Sequence, residues 1–341
     1  MKKRILPLLL AAALLLSGCT PEKKLNSYRA SFLGLFDTVT VMTGYAESEA
    51  DFRAIAQSLH DDLEEYHRLF DIYNEYEGVN NLKTVNDNAG GAPVKVDRRV
   101  IDLLLFCRDI YEASGGRVNV AMGSVLSLWH DARAEGIDDP ENAALPDDAA
   151  LREAARHTDF NSVRIDEENS TVQITDPAAR LDVGAVAKGY AVEQVCRKAP
   201  RGLLVGAGGN VRPVGAKPDG TPWTVGIQDP FGEPGEYLRT VLVKDMSVVN
   251  SGDYQRYYTE DGVSYHHIID PQTLYPENKW KMVTILCADS GAADALSTAL
   301  FCMDREAGQA LLEKYEAEAM WVTTGGDVLY SPGFEGYLKS G

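Results

Sequence analysis

The chain has few cysteines and none in a pair. Cys19, Cys107, Cys196, Cys287 and Cys302 are far apart, with no CxxC among them. Most lie in apolar surroundings such as Leu103-Leu104-Leu105-Phe106-Cys107. They are expected to be buried small hydrophobes, with one disulfide left open, and a zinc site is not expected. Histidine is as sparse, six residues without an HExxH spacing. Positive charge is also scarce: 33 Lys and Arg against 51 Asp and Glu give a net charge of −18. A chain so acidic repels nucleic acid and anionic lipid headgroups, which excludes a nucleic-acid partner. No short-period repeat is present. The cluster Gly206-Ala207-Gly208-Gly209-Asn210 resembles a dinucleotide fingerprint, but no helix follows it. Val211-Arg212-Pro213-Val214 is strand-like and carries a proline, so the Rossmann reading fails.

Long hydrophobic runs are missing too. Ile5–Leu16 is apolar and follows Lys2, Lys3 and Arg4, but it is too short to span a bilayer as a stable helix. It ends in Leu16-Ser17-Gly18-Cys19, which resembles a bacterial lipobox. That resemblance implies a signal peptide over 1–18, lipidation of Cys19, and a cell-membrane location on the extracytoplasmic face. An ordinary signal peptide or anchor is the alternative. Residues 19–30 read as a lipidated tether and 31–341 as the functional domain. Removing residues 1–18, with three basic residues and no acid, takes the charge from −18 to −21. Lipid rather than charge would then hold the protein at the membrane. The remaining length of about 320 residues suffices for two lobes or one large domain.

Residues 31–45 are rich in β-branched side chains and predict a strand. Phe52, Ile55, Leu59, Leu63, Tyr66 and Phe70 recur at helical spacing and predict a helix over 47–70. Residues 71–91 read as a polar loop, 100–113 as a second helix and 119–129 as a buried apolar stretch. An acidic loop over 131–160 leads to a short helix at 147–157. A hairpin is expected over 163–174, strands at 203–205, 223–227, 238–243, 247–250 and 282–287, helices at 292–301 and 305–315, and a terminal hairpin around Gly325-Gly326. This mixture argues for an α+β fold, with β-sheets packed against helices.

Three stretches could carry chemistry. Leu181-Asp182-Val183-Gly184-Ala185-Val186-Ala187-Lys188-Gly189-Tyr190-Ala191 passes from a strand-like step into a helix whose start is almost bare. A bare helix start with one lysine suits a phosphate, and tight packing on a sheet is the plainer reading. In Ala293-Asp294-Ala295-Leu296-Ser297-Thr298, Asp294 and Thr298 are four apart and share a helical face. Their oxygens suit Mg²⁺, which takes one or two protein groups plus substrate phosphates; helix capping by Asp294 is the alternative. His266-His267-Ile268-Ile269-Asp270-Pro271 could supply a base, or merely a buried histidine.

These stretches, with Gly208-Gly209-Asn210-Val211-Arg212 and Ser251-Gly252-Asp253-Tyr254, occur in an order that closely resembles the ApbE family of FAD:protein FMN transferases, over roughly 31–333. The resemblance implies a two-lobed fold with the FAD site between the lobes. It also implies Mg²⁺-dependent transfer of FMN from FAD to a threonine hydroxyl of a target redox protein, with AMP released. Asp294 and Thr298 match side-chain metal ligands, Ser297 a position at or beside the metal, and Ala185 a backbone-oxygen ligand. Phe36, Tyr73, Val118, Asn119, Val120, Asp182, Lys188 and Ile268 match FAD contacts. His267 matches an active-site histidine, and His267 and Asp270 are the candidate bases. The partners implied are FAD, an acceptor protein and the membrane, through the lipid.

The chain departs from the pattern at Phe36-Asp37-Thr38 and at Val118-Asn119-Val120. It departs again at Leu274, where the family has a glycine. A leucine resists positive φ, so that turn is expected to differ. Two other functions remain open: a Mg²⁺-dependent FAD pyrophosphatase, with water in place of threonine, and a non-catalytic flavin-binding lipoprotein.

Overall fold

A computed structural model describes residues 24–254 and 256–340. The expected signal peptide, Cys19 and the first residues of the expected tether lie outside the described residues.

β1 (Asn26–Leu33) and β2 (Val39–Ala46) form an antiparallel hairpin, with Leu33 opposite Val39. Two expectations change here. Residues 26–30, read as tether, belong to β1, and the single strand read over 31–45 is two. The chain reverses through Gly34 at φ 95°, Phe36 at φ 51° and Asp37 at φ 52°. Left-handed backbone at a non-glycine residue costs on the order of 1 kcal/mol, so tertiary contacts hold this reversal.

α1 (Glu49–Phe70) starts at Ser48, whose Oγ accepts the Asp51 N–H at 3.2 Å, and buries Phe52, Leu59, Leu63, Tyr66 and Phe70. The region read as polar loop contains α2 (Leu82–Asp87), started by a reciprocal Asn81–Thr84 capping box. β3 (Val94–Lys95) precedes α3 (Arg98–Ala113). The apolar stretch after Asn119 becomes α4 (Gly123–Asp138), which runs well into the expected acidic loop. α5 (Asp148–Ala154) follows, and β4 (Val163–Asp166) and β5 (Thr171–Ile174) make the expected hairpin.

α6 spans Ala187–Cys196. Leu181 is not in a strand; its only sheet-like neighbour is an isolated bridge from Arg180 to Met122. β6 (Leu203–Ala207) and β7 (Asn210–Val214) are joined by Gly208-Gly209, a two-residue hairpin turn, which accounts for the glycine cluster. β8 (Trp223–Gln228) and β9 (Tyr237–Val243) pair, followed by β10 (Ser247–Gly252). β11 (Tyr257–Glu260) pairs with β12 (Val263–His266). β13 (Trp280–Cys287), α7 (Ser290–Phe301), α8 (Arg305–Lys314), β14 (Glu318–Thr323) and β15 (Val328–Tyr330) complete the chain.

The frame is an eight-stranded antiparallel sheet in the order β1-β2-β6-β7-β10-β13-β14-β15. Both faces are covered, and strand alternation shows it. Val249, Val283, Ile285 and Trp321 point into the core shared with α1, α6 and α7. Their neighbours Val248, Met282, Leu286 and Met320 point into a second core under the β8–β9 hairpin. A third cluster, Met122, Val125, Trp129, Leu151, Tyr258 and Ile269, makes a small lobe from α4, α5 and the β11–β12 hairpin. The fold is thus mixed α and β, a sheet-and-helix body with a smaller lobe beside it. Cys107, Cys196, Cys287 and Cys302 are buried and free. Among the described residues no helix is long and apolar enough to cross a membrane.

Leu274 corrects the last expectation. It adopts φ 66°, so the turn keeps the left-handed conformation despite the side chain. The Leu274 N–H donates to the Asp270 carbonyl at 2.8 Å, and its own carbonyl accepts the Trp129 indole N–H at 2.9 Å. Packing against the small lobe offsets the strain.

Candidate functional site

A cleft of about 500 Å³ opens between the body and the small lobe. Its charged wall is the crossing of α6 and α7. Asp289 caps α7, its Oδ1 accepting the Ala292 N–H at 2.9 Å, so Asp294 one turn later is free for another role. Asp294 is 6% exposed. Its Oδ2 accepts the Gly189 N–H at 2.7 Å, and Lys188 Nζ lies 3.2 Å from Oδ1. The same ammonium donates to Asn210 Oδ1 at 2.7 Å. A side chain at Gly189 would overlap the Asp294 Cβ and the Ser290 carbonyl oxygen. The glycine therefore lets the two helices approach closely enough for a backbone N–H to reach the carboxylate. Thr298, one turn along α7, lines the same cleft.

Asp182 to Ala185 form the turn before α6. Asp182 Oδ1 accepts the Gly184 N–H at 2.8 Å. Asn86 of α2 clamps the preceding residue, donating to the Leu181 carbonyl at 2.9 Å and accepting the Leu181 N–H at 2.7 Å. The Asp182 N–H donates to the Val120 carbonyl at 2.8 Å. This places Val120 in the frame rather than on the cleft surface; it is 2% exposed.

Of the expected site residues, Phe36, Tyr73, Val118, Asn119, Asp182, Ala185, Lys188, His267, Ile268, Asp294 and Thr298 all line this one cleft. Val120 and Ser297 do not. Ser297 is fully buried, its hydroxyl bonded to the Asp294 carbonyl at 2.8 Å and to Ser251 Oγ at 2.7 Å. It stands behind the metal candidates. The Asn119 amide is also committed, donating to the Thr158 carbonyl and accepting the Ala121 N–H. Phe36 is held at the rim, its N–H donating to His67 Nδ1 at 3.3 Å.

Asp294, Thr298 and Ala185 line the cleft together and offer oxygen ligands: a carboxylate, a hydroxyl and a backbone carbonyl. That set suits a hard cation completed by ligand oxygens, and does not make an all-protein cage. The one cluster of three metal-binding side chains among the described residues, His60, Asp61 and Glu64, lies elsewhere, on α1.

The two candidate bases separate. Asp270 is 3% exposed and bound to Arg117, whose Nη1 lies 3.1 and 3.3 Å from its two carboxylate oxygens. Arg117 also donates to the Cys302 carbonyl at 2.9 Å and to Gln272. Asp270 is thus structural. His267 Nδ1 is sealed and has no partner. Burial, then His266, Arg256 and Arg133, push its pKa down to about 3, so the ring is neutral at ordinary pH. His266 is held by the Glu277 carbonyl and the Ile268 N–H.

His130, Arg133 and Arg256 also line the cleft, and sequence reading missed them. A signal existed: His130 and Arg133 stand four and seven residues after Leu126, on one helical face. Reading 131–138 as loop concealed it.

The model of the ApbE family matches residues 36–321. An FAD:protein FMN transferase of Treponema pallidum is 38% identical over 252 residues, 69% of this chain and 68% of that one. Another, of Klebsiella pneumoniae, is 30% identical over 277 residues, 77% and 84% of the two chains. The crystal structure of the ApbE protein of Thermotoga maritima superposes with a TM-score of 0.81 at 29% identity, over 93% of this chain and all of that one. The flavin transferase ApbE of Vibrio cholerae shares the fold, with a TM-score of 0.76 at 23% identity, over 92% and 100% of the two chains.

Proposed function

Since the chain belongs to the ApbE family, we propose that it transfers FMN from FAD to a threonine hydroxyl of an acceptor protein, with Mg²⁺ required and AMP released. The protein is a transferase, an FAD:protein FMN transferase like its curated relatives. The observation that carries the finer reading is the Lys188–Asp294–Gly189 node beside Thr298 in the cleft.

In the reaction the threonine oxygen bonds to the FMN phosphorus, the phosphoanhydride bond breaks, and AMP leaves with the bonding pair. Charge develops on the AMP phosphate, and Lys188 is the fixed cation placed to meet it. Asp294, Thr298 and the Ala185 carbonyl would hold Mg²⁺, which when bound neutralises pyrophosphate oxygens. Ser297 fixes the α7 backbone behind them. The threonine proton needs an acceptor. Asp270 is bound to Arg117, whereas the neutral His267 lines the cleft itself and is assigned that role. An anionic pyrophosphate entering beside Arg133 and Arg256 offsets two of the charges that depress His267, and so strengthens the base.

The assigned location is the extracytoplasmic face of the cell membrane, with Cys19 lipidated. The sequence before Cys19 supports it. The acceptor is then an exported or membrane-bound redox protein.

The test is incubation with FAD, Mg²⁺ and an acceptor protein. A flavin-fluorescent acceptor band that needs all components is expected. Free FMN and AMP with no flavin on protein would establish the pyrophosphatase instead.

A further inference from the structure

A set of contacts outside the α6–α7 crossing spans the mouth of the cleft. Tyr73 leaves the body in the loop after α1 and is 60% exposed, yet it is tightly held. Asp71 Oδ1 accepts the N–H groups of Tyr73 and Asn74 at 2.7 and 3.0 Å. Asp71 Oδ2 accepts the Asn74 amide and the Tyr76 hydroxyl at 2.9 and 2.8 Å. Burial opposes charge on Asp71, but these four donors outweigh it and keep the carboxyl below its usual range.

From the opposite side, α4 of the small lobe brings His130. The Tyr73 hydroxyl lies 2.9 Å from His130 Nδ1, and His130 Nε2 lies 3.8 Å from Asp182 Oδ2. The Tyr73 ring is exposed, but desolvation around its hydroxyl and then the Asp182 carboxylate push the phenol up to about 12, and desolvation pushes the His130 imidazole down. The phenol therefore keeps its proton and donates it to a neutral imidazole. The remaining imidazole N–H faces the Asp182 carboxylate. Three distant segments meet here: the loop after α1, α4, and the turn before α6.

An exposed aromatic ring fixed at both its backbone and its hydroxyl has given up its freedom before any ligand arrives. Such a ring is a preorganised face for a planar ligand. A flavin adenine dinucleotide carries planar rings on either side of its pyrophosphate, and the charged wall at Lys188 accounts only for the pyrophosphate.

We propose that His130 is a positioning residue that clasps Tyr73 across the cleft and so holds the Tyr73 ring ready to stack on a ring of the bound FAD. The inference rests on the reading of the cleft as an FAD site. His130 acts through Tyr73, by an acceptor atom in the right place.

The test compares His130→Ala, His130→Asn, Tyr73→Phe and the double variant Tyr73→Phe/His130→Ala with the wild type. FAD binding to the apo enzyme is followed by flavin fluorescence, and KM and kcat are measured for FMN transfer. His130→Ala and Tyr73→Phe each lose one hydrogen bond and should raise the FAD Kd and KM about three- to tenfold, with a smaller effect on kcat. The double variant should be no worse than either single one, because both remove the same contact. His130→Asn, whose Oδ1 stands near the Nδ1 position, should recover most of the loss. An FAD Kd and KM within twofold of wild type in His130→Ala, additive losses in the double variant, or no recovery in His130→Asn would overturn the clasp. A wild type that binds no FAD would overturn the FAD site itself.

Discussion

Lys188 Nζ lies 3.2 Å from Asp294 Oδ1, and the backbone N–H next to that lysine donates to Asp294 Oδ2 at 2.7 Å. One acid on α7 is thus oriented by both the side chain and the main chain of α6. Because the Asp294 side chain is 9% exposed and that of Lys188 21%, removing either leaves the other charge largely buried and unpaired.

Asp294→Ala should lower FMN transfer at least about a hundredfold, the scale of losing a preorganised electrostatic group. FAD binding should fall much less, because the cleft has other contacts. Steady-state transfer and FAD titration separate the two effects. Unchanged turnover would remove Asp294 from the site.

Gly189→Ala tests the helix crossing. The added methyl overlaps Asp294 Cβ and the Ser290 carbonyl, so α6 and α7 must separate. Overpacking of this kind costs about 1–3 kcal/mol. Thermal unfolding should show a lower Tm, and transfer should fall further than the stability loss explains, since Asp294 moves with the crossing.

Leu274 should reverse the usual order of substitutions. Leu274→Ala loses packing and keeps a side chain at φ 66°, whereas Leu274→Gly loses similar packing and relieves the strain. The relief is on the order of 1 kcal/mol. Leu274→Gly should therefore be the more stable variant in urea unfolding. Alanine above glycine would mean that the turn relaxes in solution.

His267 gives a pH dependence of known sign. Its folded pKa is about 3, against 6.5 for an ordinary histidine. Between those values the unfolded chain binds a proton that the folded chain does not, so the contribution to stability is full above about 6.5 and is lost as pH falls toward 3. His267→Gln should flatten the decline of Tm between about pH 6.5 and 4. Equal slopes for the two proteins would show that the ring is accessible to protons in the folded state.

The α7 face was legible because a four-residue spacing fixes which side chains share a helical face, and Asp294 and Thr298 carry that information themselves. The second wall was not. Residues 131–138 are acidic and include Gly136, which tolerates no side chain against Tyr258; composition suggested loop, and packing made helix. Phe36 and Asp37 left no mark either, because positive φ at a residue other than glycine is imposed from outside. Leu274 misled for the same reason. Val120 and Ser297 stand in the layer behind the cleft surface, the Val120 carbonyl bonded to the Asp182 N–H and the Ser297 hydroxyl to the Asp294 carbonyl. Facing the cleft and standing behind it are not distinguishable from spacing alone.

Asn86 clamps the Leu181 main chain with both ends of its amide, as a neighbouring strand would. The cleft-lining turn that follows thereby acquires the rigidity of a sheet without belonging to one. No other side chain of that size offers a donor and an acceptor so spaced: aspartate lacks the donor, leucine lacks both. A position remote from the chemistry is therefore as intolerant of change as the site it serves, and a survey of inactivating mutations would find it without finding any ligand beside it.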